Sequence, residues 1–174
     1  RKTKPLKYRH MYLGEMVGSG TQVFDNIVSR KIAAKEIAGF DNIISGVDWG
    51  YYPDPWVFIR TYYHAGTRTL YIFDEARGNK LQNDYTARLV KERVAPGELI
   101  LADLSYGLRC WPARKGPGSR ELGVRWLQGL NAIVIDPIKC PCVLQEFLEW
   151  EYEVAPDGTV LGTLMDARDH GIDA

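Results

Sequence analysis

The sequence predicts an α/β domain built on a mixed sheet, and three observations carry that expectation. Short apolar, β-branched runs at 43–48, 99–102 and 133–135 are bounded by charged, Gly or Pro residues, as strands buried on both faces are. Two stretches rich in aromatic and β-branched residues, 56–63 and 69–73, flank His64-Ala65-Gly66-Thr67, a hairpin signal. Three further segments repeat apolar residues at helical spacing.

Residues 1–40 mix charges, glycines and scattered apolar residues without a sustained period, so they are expected to be a leader or linker from a preceding domain, with the folded domain at 41–174. Ile43 to Asp48 forms the first strand and ends at Asp48-Trp49-Gly50; the hairpin strands follow, giving three antiparallel strands. Asn83 or Asp84 is expected to cap a helix whose apolar face holds Tyr85, Leu89 and Val90 and which Pro96-Gly97 stops. Leu99 to Ala102 is a second buried strand that runs into Asp103. Ser119 is expected to cap a helix with Leu122, Trp126, Leu127 and Leu130 inward, followed by a strand at Ile133 to Ile135. Pro141 suits the first turn of a third helix striped by Val143, Leu144, Phe147 and Leu148, and Pro156-Asp157-Gly158 turns a hairpin between Tyr152-Glu153-Val154 and Val160-Leu161.

Composition narrows the functional classes. Of 174 residues, 45% are hydrophobic and 25% charged, enough for one buried core. No apolar run reaches the roughly 18 residues that span a bilayer, and the basic start from Arg1 to Arg9 lacks the apolar stretch of a signal peptide, so a cytosolic protein without a membrane partner is expected. Three cysteines, Cys110, Cys140 and Cys142, cannot make a disulfide framework, and Cys140-Pro141-Cys142 has neither the spacing nor the second pair of a zinc knuckle. With 22 basic and 22 acidic side chains, any contact with a polyanion must come from local patches. Neither Gly18-Ser19-Gly20 nor Lys115-Gly116-Pro117-Gly118 has the spacing of a nucleotide phosphate loop, so no ATP hydrolysis is expected.

The chemistry is carried by acidic residues. Asp48 and Asp103 each close a buried strand, and neighbouring strand ends are where open α/β sheets gather ligands. Asp173 stands three residues after His170, so on a helix the two share a face that can look onto the strand ends. Three carboxylates together repel one another unless divalent cations neutralise them. Hard oxygen donors favour Mg²⁺ or Mn²⁺ over zinc, and two such ions about 3.5 to 4 Å apart serve phosphodiester hydrolysis. The alternative is that Asp48 and Asp103 only terminate strands.

Gly46-Val47-Asp48-Trp49-Gly50-Tyr51-Tyr52-Pro53-Asp54-Pro55 resembles the first catalytic motif of tailed-phage large terminases, the DNA-packaging nucleases. Tyr12-Leu13-Gly14-Glu15 with Val23-Phe24-Asp25-Asn26 is similar to the segment joining their ATPase to the nuclease, and Leu101-Ala102-Asp103 to their second acidic motif. Lys115-Gly116-Pro117-Gly118-Ser119 with Gly123 and Leu127 resembles the following basic loop and helix, and Asp169-His170-Gly171-Ile172-Asp173-Ala174 the third motif, usually written with Asn before the histidine. The resemblance implies a ribonuclease H-like fold, with a central mixed five-stranded sheet flanked by helices and an accessory β-hairpin. It implies Asp48, Asp103 and Asp173 as ligands of two Mg²⁺ or Mn²⁺ ions. His170 beside them is placed to contact the scissile phosphate, help ligate an ion or shuttle a proton. The implied activity is cleavage of concatemeric double-stranded phage DNA during packaging. The implied partners are that DNA, the terminase ATPase domain, the portal and the small terminase subunit, in host cytoplasm and transiently docked on the procapsid.

Arg109, Arg114, Lys115, Arg120 and Arg125 cluster near the expected rim, with Arg114 and Lys115 in the glycine-rich loop as the candidate DNA contacts. Glu75 is a secondary acidic candidate, and Trp49, Trp56 and Trp126 are read as core. The family carries a helix of about three turns before the segment matching Tyr106-Gly107-Leu108-Arg109, whereas here Ser105 leads almost directly into it. Either that helix is lost, or residues are missing between Ser105 and Tyr106, which a long Cα separation would reveal. Two other readings stand: a ribonuclease H-like nuclease of the resolvase or transposase type, which would prefer branched or end-specific DNA, and a non-catalytic docking module of the motor, which would bind no Mn²⁺.

Overall fold

The computed structural model describes residues 20–102, 108, 110–112, 116–164 and 170–174, the side chain of Asp173 excepted. In chain order the elements are β1 (Ile27–Ser29), α1 (Ala34–Ile37), β2 (Ile43–Asp48), β3 (Trp56–His64), β4 (Thr69–Gly78), α2 (Asn83–Arg93) and β5 (Leu99–Ala102). There follow β6 (Trp111–Pro112), α3 (Ser119–Gln128), β7 (Ala132–Ile135), α4 (Pro141–Glu149), β8 (Tyr152–Val154), β9 (Val160–Leu164) and α5 (His170–Asp173). Among the described residues, seven strands form one sheet in the order β1-β7-β4-β3-β2-β5-β6, and β8 and β9 form a separate hairpin. The β2-β3-β4 meander is antiparallel, and β1, β7, β5 and β6 each join their neighbours in parallel.

The five central strands, β7-β4-β3-β2-β5, are the sheet expected from sequence, and the hairpin is present at its expected turn. The count of five is corrected to seven, because β1 and β6 add one short strand at each edge. Neither has a period of its own: β1 has three residues and β6 two, and their extended form comes from pairing with β7 and β5. Residues 20–40, read from sequence as leader, supply Val23, Phe24, Ile27 and Ile32 to the buried interior, with the Phe24 ring 5.0 Å from Phe147 and 5.9 Å from Trp150. Burying side chains of this size is worth about 1.5–3 kcal/mol each.

Strand alternation divides the core into two faces. Val57, Ile59, Leu70, Ile72, Ile133 and Ile135 pack with Val124 of α3 and with Val143 and Phe147 of α4. On the other face Val47, Trp56, Phe58, Ile100 and Ala102 pack with Ala87 and Val90 of α2. A bulge shifts the β3–β4 register, so that Arg60 pairs with Asp74 while Thr61 pairs with Ile72. One extra residue reverses the facing of everything beyond it. Ile72 lies on the α4 face before the bulge, and Glu75 and Arg77 reach α4 after it.

Helix starts differ in detail from expectation. Gln82 holds the cap position of α2 without a side-chain bond, and Asp84 falls in the first turn, where its charge favours the helix dipole. Gly118, at φ 76°, precedes α3, so Ser119 is its first residue, and its hydroxyl accepts from the Gly116 amide at 3.3 Å. The buried face of α3 centres on Val124; Leu122 and Trp126 are exposed at 65% and 50%. Trp126 is thereby corrected from core to surface, its ring resting on Tyr63 at 5.3 Å, whereas Trp56 is buried as expected. Pro141 does open α4.

Candidate functional site

The site is built at the end of β2, where alternation turns Gly46 and Asp48 to the same face. On that face lies α5, and it lies close: a methyl group on Gly46 would come within 1.4 Å of the Ala174 carbonyl oxygen. Only a residue without a side chain lets the helix end rest on the strand. One turn back, His170 Nδ1 stands 3.2 Å from Asp48 Oδ2, with both side chains 22% exposed. On the other edge of the ring, Nε2 stands 3.7 Å from Asp54 Oδ1. Asp54 belongs to the loop after β2 and to the first motif, whose sequence alone gives it no role.

The helical expectation for His170 and Asp173 is met by α5, whose turn is closed by the Ala174 amide donating to the His170 carbonyl at 3.0 Å. The structure therefore joins His170 to Asp48 and sets Asp173 one turn along the same short helix, its side chain lying outside the described residues. Parallel pairing brings Val47 opposite Ala102, the last described residue of β5; Asp103 follows in sequence but lies outside the described residues. So do Arg109, Arg114 and Lys115, and so does the Ser105–Tyr106 junction. Among the described residues no group of three His, Cys, Asp or Glu side chains stands ready to hold a metal ion. Asp48, a hard carboxylate partly open at a strand end beside an imidazole, has the donor chemistry that Mg²⁺ or Mn²⁺ takes.

Behind the site, Glu146 of α4 is buried, its side chain 5% exposed. Its Oε1 accepts from Arg77 at 2.8 Å and its Oε2 accepts from the Gly171 amide at 2.6 Å. Burial pushes its carboxyl above the usual range, against the opposing pull of the Gly171 amide and the Arg77 guanidinium. Glu75, a secondary acidic candidate from sequence, instead accepts from the Cys142 amide at 3.1 Å and the Val143 amide at 2.8 Å, satisfying the open first turn of α4. Cys140 and Cys142 are free thiols, and burial raises both above the usual thiol range. No described helix is long and apolar enough to cross a membrane.

No protein-family model matches the chain. The large subunit of the terminase from Bacillus phage SPP1 is 38% identical over 188 aligned positions, which cover 100% of this chain and 44% of that protein, so the chain spans less than half its length. Among solved structures, the nuclease domain of the large terminase from bacteriophage SPP1 with bound Mn is 36% identical, with a TM-score of 0.79 over 87% of this chain and 93% of that one. The P22 large terminase nuclease domain matches at 16% identity and a TM-score of 0.62, covering 90% and 89% of the two chains. The large terminase nuclease from thermophilic phage G20c with bound magnesium matches at 14% and 0.54, covering 90% and 95%. These last two bear on the fold alone, which is ribonuclease H-like.

Proposed function

The chain belongs to the nuclease domains of phage large terminases, and on that premise we propose that it is a metal-dependent endonuclease that cuts concatemeric double-stranded phage DNA during genome packaging. The observation that carries the reading is the meeting of His170 with Asp48 at 3.2 Å, which joins the first and third acidic motifs although 122 positions separate them. In this reading Asp48, Asp103 and Asp173 hold two Mg²⁺ or Mn²⁺ ions. The chemistry such ions supply is neutralisation of phosphate charge and activation of water at neutral pH.

The chain's own residues do the positioning. β2 is fixed on both sides by β3 and β5, so the Asp48 carboxylate is held on a rigid strand end. His170 turns Nδ1 toward Asp48 and keeps Nε2 on the Asp54 side, the edge on which a proton can be exchanged with substrate or solvent. Arg114 and Lys115 contact the phosphate backbone, and with no net charge the domain's own grip on DNA is weak and salt-sensitive. Cutting position is then set by partners: the ATPase domain, the portal and the small terminase subunit, in the host cytoplasm at the procapsid. The chain itself does not hydrolyse ATP, in keeping with its lack of a phosphate loop.

The test is Mn²⁺-dependent cleavage of plasmid DNA by the chain and by Asp48→Asn. Cleavage is expected from the first and none from the second, with both equally folded by circular dichroism. Full activity in Asp48→Asn removes this carboxylate from the reaction.

A further inference from the structure

Glu146 stands out among the buried charges because it lies on the apolar stripe of α4, between Val143 and Phe147, yet carries a carboxylate. An ionised group in that position is costly unless it is paired and hydrogen-bonded. Both oxygens are engaged, one by Arg77 from β4 and the other by the Gly171 amide of α5. Glu75, two residues before Arg77, already holds the first turn of α4, so β4 fixes that helix at two points. The α4 helix in turn fixes α5.

What α5 needs is an external support. It has four residues, far fewer than a helix requires to persist alone, and its leading amides have no partners within the helix. Glu146 accepts from one of them. The seat has no slack: a methyl group on Gly171 would stand 2.6 Å from Glu146 Oε2 and 2.7 Å from Val143 Cγ2. Gly171 follows His170 directly and precedes Asp173 by two positions, so its place determines where the His170 side chain leaves the helix and where the backbone of Asp173 stands.

We infer that Glu146 is a positioning residue for the cleavage reaction: braced by Arg77, its carboxylate sets the height and rotation of α5 and so the reach of His170 and Asp173 to the site. This rests on the reading of Asp48, His170 and Asp173 as the nuclease site. Its two oxygens are directed at Arg77 and the Gly171 amide, so it acts through α5 rather than on DNA or metal. Its loss therefore acts on metal use and turnover rather than on DNA affinity. Groups that orient a site's ligands typically contribute about 10- to 100-fold in metal affinity or activity.

The experiment measures plasmid cleavage across a Mn²⁺ titration, with DNA affinity measured separately, for the chain and for Glu146→Ala, Glu146→Gln and Gly171→Ala. All assays run well below each variant's melting temperature. Glu146→Ala is expected to raise the Mn²⁺ concentration for half-maximal cleavage about tenfold or more, with DNA affinity unchanged. Gly171→Ala, which displaces α5 while Glu146 stays intact, is expected to do the same. Glu146→Gln retains an oxygen for the Gly171 amide and falls between Glu146→Ala and the original chain. If the original chain cleaves and Asp48→Asn does not, but Glu146→Ala, or Glu146→Gln and Gly171→Ala should Glu146→Ala not fold, matches the original in Mn²⁺ requirement and rate, the inference is overturned and the nuclease reading stands. Absence of cleavage by the original chain overturns both.

Discussion

Replacing Gly46 with alanine tests the packing of the site without touching any residue assigned to chemistry. The added methyl would lie 1.4 Å from the Ala174 carbonyl oxygen and 2.3 Å from the carbonyl carbon, where real contacts are no closer than 3.0 Å. One of the two backbones must yield by the difference, about 1.6 Å. Gly46 is paired with Ile59 on one side and Leu101 on the other, whereas α5 is a single turn at the edge of the core. The helix is therefore the part that moves. A shift of that size carries His170 Nδ1 from 3.2 Å beyond hydrogen-bonding reach of Asp48. Misplacement of reacting groups by about 1 Å costs on the order of 100-fold in rate. The expected result is a Mn²⁺-dependent plasmid cleavage rate lowered by about 100-fold, with a stability loss of only about 1–3 kcal/mol in urea denaturation. A Gly46→Ala rate within threefold of the original would refute the argument, because it would mean α5 does not rest on β2 as described.

Two further substitutions test the fold around the site. Asp136 is 1% exposed and accepts from the Ile32 amide at 2.8 Å, the Ile138 amide at 2.9 Å and the Lys139 amide at 3.2 Å, so Asp136→Ala leaves one buried and two partly buried donors without this acceptor and is expected to cost about 3 kcal/mol in urea denaturation at pH 7. Burial opposes the charge at Asp136, but these amides outweigh it and hold the carboxyl below its ordinary 3.8; the ionised form's contribution is thus complete above that value and lost as pH falls through the lower folded one, so the gap between original and variant should narrow only in acid below about pH 3.8. Gly123 lies within α3 with open space where a methyl would go, and Gly123→Ala is expected to raise stability by about 0.5–1 kcal/mol, read as a higher melting temperature.

Much of this architecture is legible in the chain because local patterns agree with the sheet they enter. β2, β5 and β7 are apolar runs whose neighbours cover both faces, and α4 opens on Pro141 and carries an apolar stripe. β4 is different. Its second half, Asp74-Glu75-Ala76-Arg77-Gly78, lies beyond the stretch 69–73 that the aromatic and β-branched pattern marks, yet it is strand because Trp56 to Arg60 of β3 need partners and the bulge turns its charges toward α4. β1 is invisible locally since the strand it pairs with, β7, lies far along the chain. The same limit applies to the site. Asp48 and His170 are readable from motif order, but Asp54 became visible only through its approach to His170, and Arg77 and Glu146 only through their contact. One signal for Glu146 was available: a charged residue set between Val143 and Phe147 on the buried face of a helix requires a partner. Leu122 and Trp126 show the opposite failure, where helical spacing suggested a core face that the sheet leaves exposed.

The proposed reaction requires that the carboxylates of β2, of the position after β5 and of α5 share divalent cations. Anomalous diffraction from crystals soaked in Mn²⁺ tests it most directly. Peaks are expected within about 2.3 Å of Asp48 oxygens, with Asp103 and Asp173 completing the same cluster. Manganese bound elsewhere, with Asp48 remote from every peak, would contradict it.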